Sequence, residues 1–236
     1  MMIMPVPKVC PDVLLAHMDK VKKVKDLVEK TQDALVKELA ASWLEVLGSK
    51  AGNDILESVL VRATGREPKD ASQKHGADSK DGLVEAKPCK GKYSAHISDD
   101  TPTCLVKAQK IPYCILAVTS ENGQEIQWAA IVSYRVFDSA RYQKILSKLK
   151  LSEEECAEDL PTNEDDRTKV LNKLVTASAD IKNKGIRSNP LPLQCLAALS
   201  PSEYSVWVSD DLLKKTKPTK GELQIIKMWK AQQPPA

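Results

Sequence analysis

Two apolar runs joined by a turn dipeptide constrain the fold of this 236-residue chain more than any other feature. The runs are Tyr113–Val118 and Ile126–Tyr134, and Asn122 and Gly123 lie between them. A short run that is almost free of polar residues is typical of a strand buried on both faces of a sheet. Asn-Gly between two such runs is the strongest short-range signal for a β-hairpin. The chain is therefore predicted to contain a buried sheet with an antiparallel pair.

A third strand and a crossover helix are predicted upstream of this hairpin. Val84–Lys87 is a short segment in which apolar residues alternate with a Glu and a Lys. Asp100–Thr103 combines a capping residue with a proline in the first helical turn. A strand, a helix and a buried strand in this order form a βαβ unit, whose two strands should be parallel. The predicted fold class is therefore α/β, with a mixed central sheet flanked by helices.

The N-terminal segment from Asp12 to Leu47 is predicted to be one long helical segment. Its apolar residues, including Leu35 and Leu39, recur at steps of three and four, and lysines and glutamates fill the opposite side. Gly48 is placed to end the segment. Such a helix can pack on the core of its own chain or on a second subunit, and the sequence leaves both alternatives open.

The chain is predicted to divide into three parts. These are an N-terminal helical segment at 1–50, a core at 51–150, and a helical and mixed C-terminal extension at 151–236 that packs on the core. Because the predicted strands 84–87, 113–118 and 126–134 all fall in the middle part, that part should hold the sheet and any site built on it.

The C-terminal extension contains its own regular elements. Tyr204–Val208 is predicted to be a strand and Lys220–Lys230 a basic helix. The last residues, 232–236, are predicted to be frayed because chain termini are ordered only when something holds them.

Six cysteines are scattered along the chain without a close Cys-x-x-Cys pair. This spacing argues against a zinc site or a secreted disulfide framework and favours an intracellular protein. Cys114 lies in an apolar run and is predicted to be a small buried hydrophobe. The sequence has no transmembrane run, so no membrane partner is expected, and a net charge of +3 is too small to indicate nucleic acid by itself.

The segment 77–87 carries the candidate catalytic residues. Asp81 and Gly82 are a strong hairpin-turn signal, which would fold a strand ending at Asp78 back beside the strand that follows. Because a strand alternates its side chains, Glu85 and Lys87 share one face. The carboxylates of Asp78 and Glu85 and the ammonium of Lys87 are therefore predicted to converge.

This combination is suited to metal-dependent phosphodiester hydrolysis. Two carboxylates can hold a hard cation such as Mg²⁺ through oxygen, and an ammonium can orient a water molecule or help to deprotonate it. The pattern Asp78 … Glu85-x-Lys87 resembles the core of the PD-(D/E)xK nucleases, and among them the type II restriction endonucleases. The resemblance is local and covers roughly 53–137. It departs from the motif at Ala77, which stands where proline is usual, and in the short gap between the two acids.

The resemblance implies a role for each matching position. Asp78 would bridge the metal ion or ions, Glu85 would be the second carboxylate ligand, and the carbonyl of Ala86 would add a backbone oxygen. Lys87 would lie beside the attacking water, and Mg²⁺ would be the cofactor.

A helix upstream of the motif supplies one more candidate. The segment 53–60 is predicted to be a helix capped by Asn53, with Ile55 and Leu56 among the residues of its buried side. The resemblance implies Glu57, on this helix, as a further catalytic carboxylate. A surface carboxylate with no catalytic role is the alternative.

Candidate DNA contacts lie within the core and in the C-terminal extension. Lys90, Lys92 and Lys107 surround the predicted site and would cradle phosphates. Arg187 and Asn189 lie in a loop stiffened by prolines, and these residue types suit the reading of guanine and adenine edges. Ordinary surface lysines and an ordinary connecting loop are the alternatives.

The resemblance implies a restriction-endonuclease-like fold and a Mg²⁺-dependent type II restriction endonuclease that hydrolyses double-stranded DNA at a short specific sequence. The implied partners are double-stranded DNA and a second copy of the chain in a homodimer, with a cognate DNA methyltransferase as an optional partner. Two alternatives stay open. One is a DNA repair or junction-resolving nuclease of the same fold, and the other is a non-catalytic DNA-binding or protein-interaction module.

Overall fold

A mixed sheet with helices on both faces is formed by the residues that the structure, a computed structural model, describes: 6–70, 77–90, 112–133, 196 and 199–234. The helices are α1 (Pro11–Lys30), α2 (Ala34–Leu47), α3 (Lys50–Arg62), α4 (Asp210–Leu213) and α5 (Lys220–Ala231). The strands are β1 (Val84–Lys90), β2 (Tyr113–Thr119), β3 (Ile126–Ser133) and β4 (Tyr204–Val208), and a 3₁₀ turn spans Pro201–Glu203.

The strands lie in the order β1-β2-β3-β4. β1 and β2 are parallel, and β3 is antiparallel to both of its neighbours. All seven residues of β2 are buried. Gly123 takes a φ of +71° in the turn between β2 and β3, a conformation that glycine adopts readily. The predicted buried strand, hairpin and parallel step are therefore confirmed, whereas the predicted crossover helix lies outside the described residues.

Helices pack on both faces of the sheet. On one face, Leu116 of β2 belongs to an apolar cluster with Ile225 of α5. On the other face, Ile115 of β2 clusters with Leu56 of α3 and Leu14 of α1. Full burial of one such side chain contributes about 1.5–3 kcal/mol, so the second cluster, which includes Val84 of β1, fixes α3 against the sheet. This is the contact that positions the candidate site.

The N-terminal helical segment is interrupted, contrary to the prediction of one continuous element. Thr31 is extended, with φ −74° and ψ 138°, and ends α1. Asp33 then begins α2, because its side chain accepts a hydrogen bond from the backbone N–H of Val36 at 3.1 Å. The apolar spacing runs across this break without revealing it. Leu35 and Leu39 are 65% and 62% exposed, so they do not pack on the described core.

Side chains cover the outer edges of both terminal strands of the described sheet. At β1, the N–H of Ala86 donates to Oδ2 of Asp78 at 2.8 Å. At β4, the side-chain amide of Gln232 accepts from the N–H of Val206 at 2.8 Å and donates to the carbonyl of Tyr204 at 2.7 Å. Gln232 is thus held by the sheet, and the predicted fraying is wrong at this position. Such contacts satisfy edge groups that could otherwise pair with another chain.

Several predicted features lie outside the described residues. These are Lys92, Lys107, Arg187 and Asn189, together with the side chain of Lys90. The division into three parts stays a prediction, although β4 of the C-terminal part pairs with β3 of the middle part. None of the helices in the described ranges combines the length and the apolar character needed to cross a membrane.

Candidate active site

A tight turn after Asp78 sets the shape of the site. The N–H of Gly82 donates to the carbonyl of Ser79 at 3.0 Å, and Gly82 has a φ of +77°. The predicted turn at this dipeptide is confirmed. The predicted strand ending at Asp78 is wrong for the described residues, because Asp78 lies in a bend. The N–H groups of Asp78 and Ser79 both donate to the carbonyl of Val84, at 3.0 and 3.1 Å, and this shared acceptor prevents a regular ladder.

The carboxylate of Asp78 is held at both oxygens. Oδ2 accepts from the N–H of Ala86 and Oδ1 accepts from Nζ of Lys69, each at 2.8 Å. Burial opposes ionisation, but the hydrogen bonds from Lys69 and Ala86, with the positive charge of Lys87, outweigh it and hold the pKa of Asp78 below its usual value. Asp78 is therefore an ionised, oriented carboxylate at neutral pH.

Glu85 and Lys87 form an ion pair on one face of β1. Oε1 of Glu85 accepts a hydrogen bond from Nζ of Lys87, and Glu85 is only 1% exposed. Burial alone would lower the pKa of Lys87, but the charge of Glu85 and its hydrogen bond raise it above the usual lysine value. Lys87 is therefore a permanently protonated ammonium at neutral pH.

The Lys87 ammonium lies near both Asp78 and Glu85. Lys87 lowers the pKa of Asp78, and Asp78 in turn helps to raise that of Lys87. Cys114 of β2 lies opposite Glu85 in the strand register and is influenced by all three groups. Burial raises the pKa of the Cys114 thiol, and both carboxylates add to this effect. Cys114 is thus a neutral buried thiol, as predicted.

The main chain of β1 adds an oxygen on the same side as Asp78. In an extended strand, the N–H and C=O of one residue point to the same side. The N–H of Ala86 points away from β2, since it donates to Asp78. The carbonyl of Ala86 therefore lies on the outer edge of β1, next to the Asp78 carboxylate.

The helix that carries Glu57 begins earlier than predicted. Ser49, and not Asn53, caps α3, because its side chain accepts from the N–H of Gly52 at 3.4 Å. The helix thus starts one turn upstream, and Asn53 lies inside it. Leu56 is buried as predicted, but Ile55 is 36% exposed.

Glu57 lies within the electric field of the other site residues. Burial raises the pKa of Glu57 to about 7, and the negative charge of Asp78 adds to the effect while Lys87 opposes it. Smaller contributions come from Asp54 and Glu85. At neutral pH the Glu57 carboxyl therefore exists in both its protonated and its ionised form.

The donors fit a hard divalent cation. The carboxylates of Asp78 and Glu85 and the carbonyl of Ala86 supply oxygen ligands, and Mg²⁺ is commonly held by one or two carboxylates while it keeps several waters. Among the residues that the structure describes, no three Asp, Glu, His or Cys side chains form a ready metal-ligand group. Glu57 is a neighbour of the candidate metal site, since the charge of Asp78 acts on it.

Lys69 is the site residue that the sequence did not reveal. It precedes Asp78 by nine positions, and no periodic pattern connects the two. Its proximity depends on a short antiparallel contact in which Pro68 bridges Ser79 and the N–H of Lys80 donates to the carbonyl of Glu67. A contact of this length has no recognisable sequence signature.

Comparison with known proteins does not supply a function. No protein-family model matches the chain, and no curated protein is significantly similar to it. The function must therefore be inferred from the chemistry and the geometry of the residues themselves.

We expect Glu57→Gln to be more stabilising at pH 8 than at pH 5. The folded protein keeps the Glu57 proton up to about pH 7, whereas the unfolded chain loses it near the ordinary value of 4.5. Between these values the folded state binds more protons, so the stability of the parent falls as pH rises. At pH 8 the parent should have lost about 2 kcal/mol of its free energy of unfolding, after allowance for the partial exposure of Glu57, and the variant should not show this loss.

Urea unfolding of parent and variant at both pH values measures this difference. Glu45→Gln, at an exposed carboxylate on α2 outside the site, is the matched control for the loss of one negative charge. A Glu57→Gln effect that is the same at the two pH values would contradict the raised pKa.

Proposed function

We propose that this protein is a Mg²⁺-dependent endonuclease with a restriction-endonuclease-like fold that hydrolyses double-stranded DNA. The observation that supports the proposal best is the grouping of three charged side chains around β1. Asp78 lies at the outer edge beside the Ala86 carbonyl, and the Lys87 ammonium, paired with Glu85 on one face of the strand, acts on it. Two oriented carboxylates, a main-chain oxygen and a fixed ammonium are suited to act together on a phosphodiester.

Asp78, Glu85 and Ala86 would hold the metal ion. When bound, Mg²⁺ would supply Lewis-acid stabilisation of the scissile phosphate and activation of water. Asp78 is prepared for this role because hydrogen bonds from Ala86 and Lys69 fix its carboxylate in the ionised state. Glu85 is prepared by its ion pair with Lys87, which compensates a buried negative charge.

Lys87 would act as a hydrogen-bond donor. Because the pKa of Lys87 is raised, its amine stays protonated at neutral pH and cannot take a proton from water. It can orient the attacking water or offset negative charge on the phosphate. Of the two roles that the sequence left open for this lysine, orientation is therefore the one we propose.

Glu57 would be the proton acceptor. A general base works best when its pKa lies close to the working pH, and Glu57 has a pKa of about 7. It is also within the electric field of Asp78 and Lys87, so it lies near the candidate reaction centre.

The more specific identity as a type II restriction endonuclease rests on the resemblance of the motif. With it come the proposed homodimer, the cognate methyltransferase, and phosphate contacts by lysines such as Lys90, which ends β1. A DNA repair or junction-resolving nuclease would use the same residues in the same way. The two differ in the DNA that they cut and not in the site chemistry.

We expect the purified protein to convert supercoiled plasmid to nicked or linear DNA with Mg²⁺ and to leave it intact with EDTA. The physical reason is that two carboxylates without a cation would repel the scissile phosphate. Agarose gels of a time course at equal protein concentration measure the conversion. Sequencing of the ends then identifies any recognition sequence.

The pattern of products separates the candidate functions. A defined ladder supports a sequence-specific restriction enzyme, and a preference for branched over linear duplex supports a junction-resolving enzyme. DNA binding without any Mg²⁺-dependent cleavage, on both methylated and unmethylated plasmid and on branched DNA, would reject the nuclease and favour a binding module.

A further inference from the structure

Lys69 is attached to Asp78 by two hydrogen bonds of different kinds. Its backbone N–H donates to the carbonyl of Asp78 at 2.8 Å, and its Nζ donates to Oδ1 of the same residue at 2.8 Å. The main-chain hydrogen bond fixes the position of the Lys69 backbone. The ammonium is carried by a flexible four-carbon stem, and the side chain is 28% exposed, so it can move towards solvent.

The two oxygens of Asp78 therefore have unequal partners. Oδ2 is bound by the N–H of Ala86, which belongs to the backbone of β1 and cannot leave. Oδ1 is bound by the Lys69 ammonium, which can. A divalent cation that takes Oδ1 as a ligand would lie within a few ångströms of that ammonium, and two positive charges at such a distance repel strongly.

We propose that Lys69 is a positioning residue of the site, which holds Oδ1 of Asp78 in the metal-free protein and yields that oxygen when a divalent cation binds. This inference rests on the proposed function. Lys69 keeps the Asp78 carboxylate correctly oriented before the metal arrives, and the cost of displacing the ammonium weakens metal binding. Removal of its charge should therefore tighten metal binding, because Ala86 still orients the carboxylate.

The test is isothermal titration of the full chain with Mg²⁺ in the absence of DNA. Lys69→Met should bind Mg²⁺ more tightly than the parent, by about tenfold, because one competing charge is removed. Lys69→Arg keeps the charge and should bind Mg²⁺ as the parent does. If Lys69 served only to support the fold, Lys69→Met would loosen Asp78 and weaken Mg²⁺ binding.

Two further variants keep the outcomes distinct. Lys69→Gln repeats the test with a polar side chain if Lys69→Met does not fold, as judged by thermal unfolding. Asp78→Asn reports whether Mg²⁺ binds at this site at all. One outcome overturns the role of Lys69 but leaves the metal site intact. In that outcome the parent binds Mg²⁺, Asp78→Asn does not, and the neutral Lys69 variants bind Mg²⁺ as tightly as the parent or more weakly. If Asp78→Asn binds Mg²⁺ as the parent does, the proposed metal site and the role of Lys69 both fail.

Discussion

Asp78→Asn is expected to lower the rate of Mg²⁺-dependent plasmid cleavage by about 10³-fold or more, since metal-assisted catalysis contributes several kcal/mol and each 1.36 kcal/mol is tenfold in rate. The variant keeps the size of the side chain, and its amide oxygen can still accept from the N–H of Ala86, which now donates to Oδ2. It loses the negative charge that would bind the cation. The chemistry should therefore fail while the turn stays in place.

Initial rates of plasmid nicking measure the loss, and thermal unfolding shows whether the fold is retained. Asp211→Asn is the matched control, because it makes the same change at an exposed carboxylate of α4 outside the site. It should cleave as the parent does. If Asp78→Asn cut DNA at the parental rate, Asp78 would have no catalytic role.

The sheet could be predicted because its signals are local. The unbroken apolar run of β2 allows only a strand with two covered faces, and the turn at Asn122 and Gly123 requires the next strand to return beside it. The pairing of Glu85 with Lys87 could be predicted for a similar reason. The alternation of a strand places the two on one face without any information from distant residues.

The starts of α2 and α3 and the bend at Asp78 could not be predicted from the sequence, because nearby residues offer alternative hydrogen bonds at each position. Ser49 and Asn53 are both good helix caps, and the choice of Ser49 becomes visible only when the packing of α3 fixes where the helix begins. Asp33 divides the N-terminal helix although the apolar spacing continues across it. At Asp78, a shared acceptor replaces the expected ladder with a bend. In each case, hydrogen bonds and packing that are set by the folded structure decide between two locally acceptable structures.

The balance of charges in the site also depends on the tertiary structure, because its charged residues come from separate elements. Glu57, Asp78 and Glu85 come from a helix, a turn and a strand. The repulsion that Asp78 and Glu85 exert on Glu57 exists only after α3 has packed against the sheet. The lysines that offset this repulsion also come from separate segments, Lys69 before the turn and Lys87 after it. A motif read along the chain contains the carboxylates and Lys87, but not the counter-charge at Asp78.

Lys87→Met is expected to lower the free energy of unfolding by about 3 kcal/mol, the largest stability effect among changes at the site. Glu85 is only 1% exposed and is compensated by the Lys87 ammonium. Removal of one partner of a buried pair costs ~3–5 kcal/mol, because a buried charge then loses its compensation. The Lys87 side chain is 21% exposed, so water can screen part of the cost and the lower end of this range is expected.

The double variant Glu85→Leu, Lys87→Met separates stability from chemistry. Replacement of both members of a buried pair by apolar side chains is often neutral or stabilising, and this pair lies on the same face of the sheet as the apolar residues Cys114 and Leu116. Urea unfolding should place the double variant within about 1 kcal/mol of the parent, since no buried charge remains. Plasmid cleavage by the double variant should be absent, because a metal ligand and the ammonium are both gone. If the double variant were as unstable as Lys87→Met, charge compensation would not explain the stability of this site. If the double variant cleaved DNA, neither side chain would take part in hydrolysis.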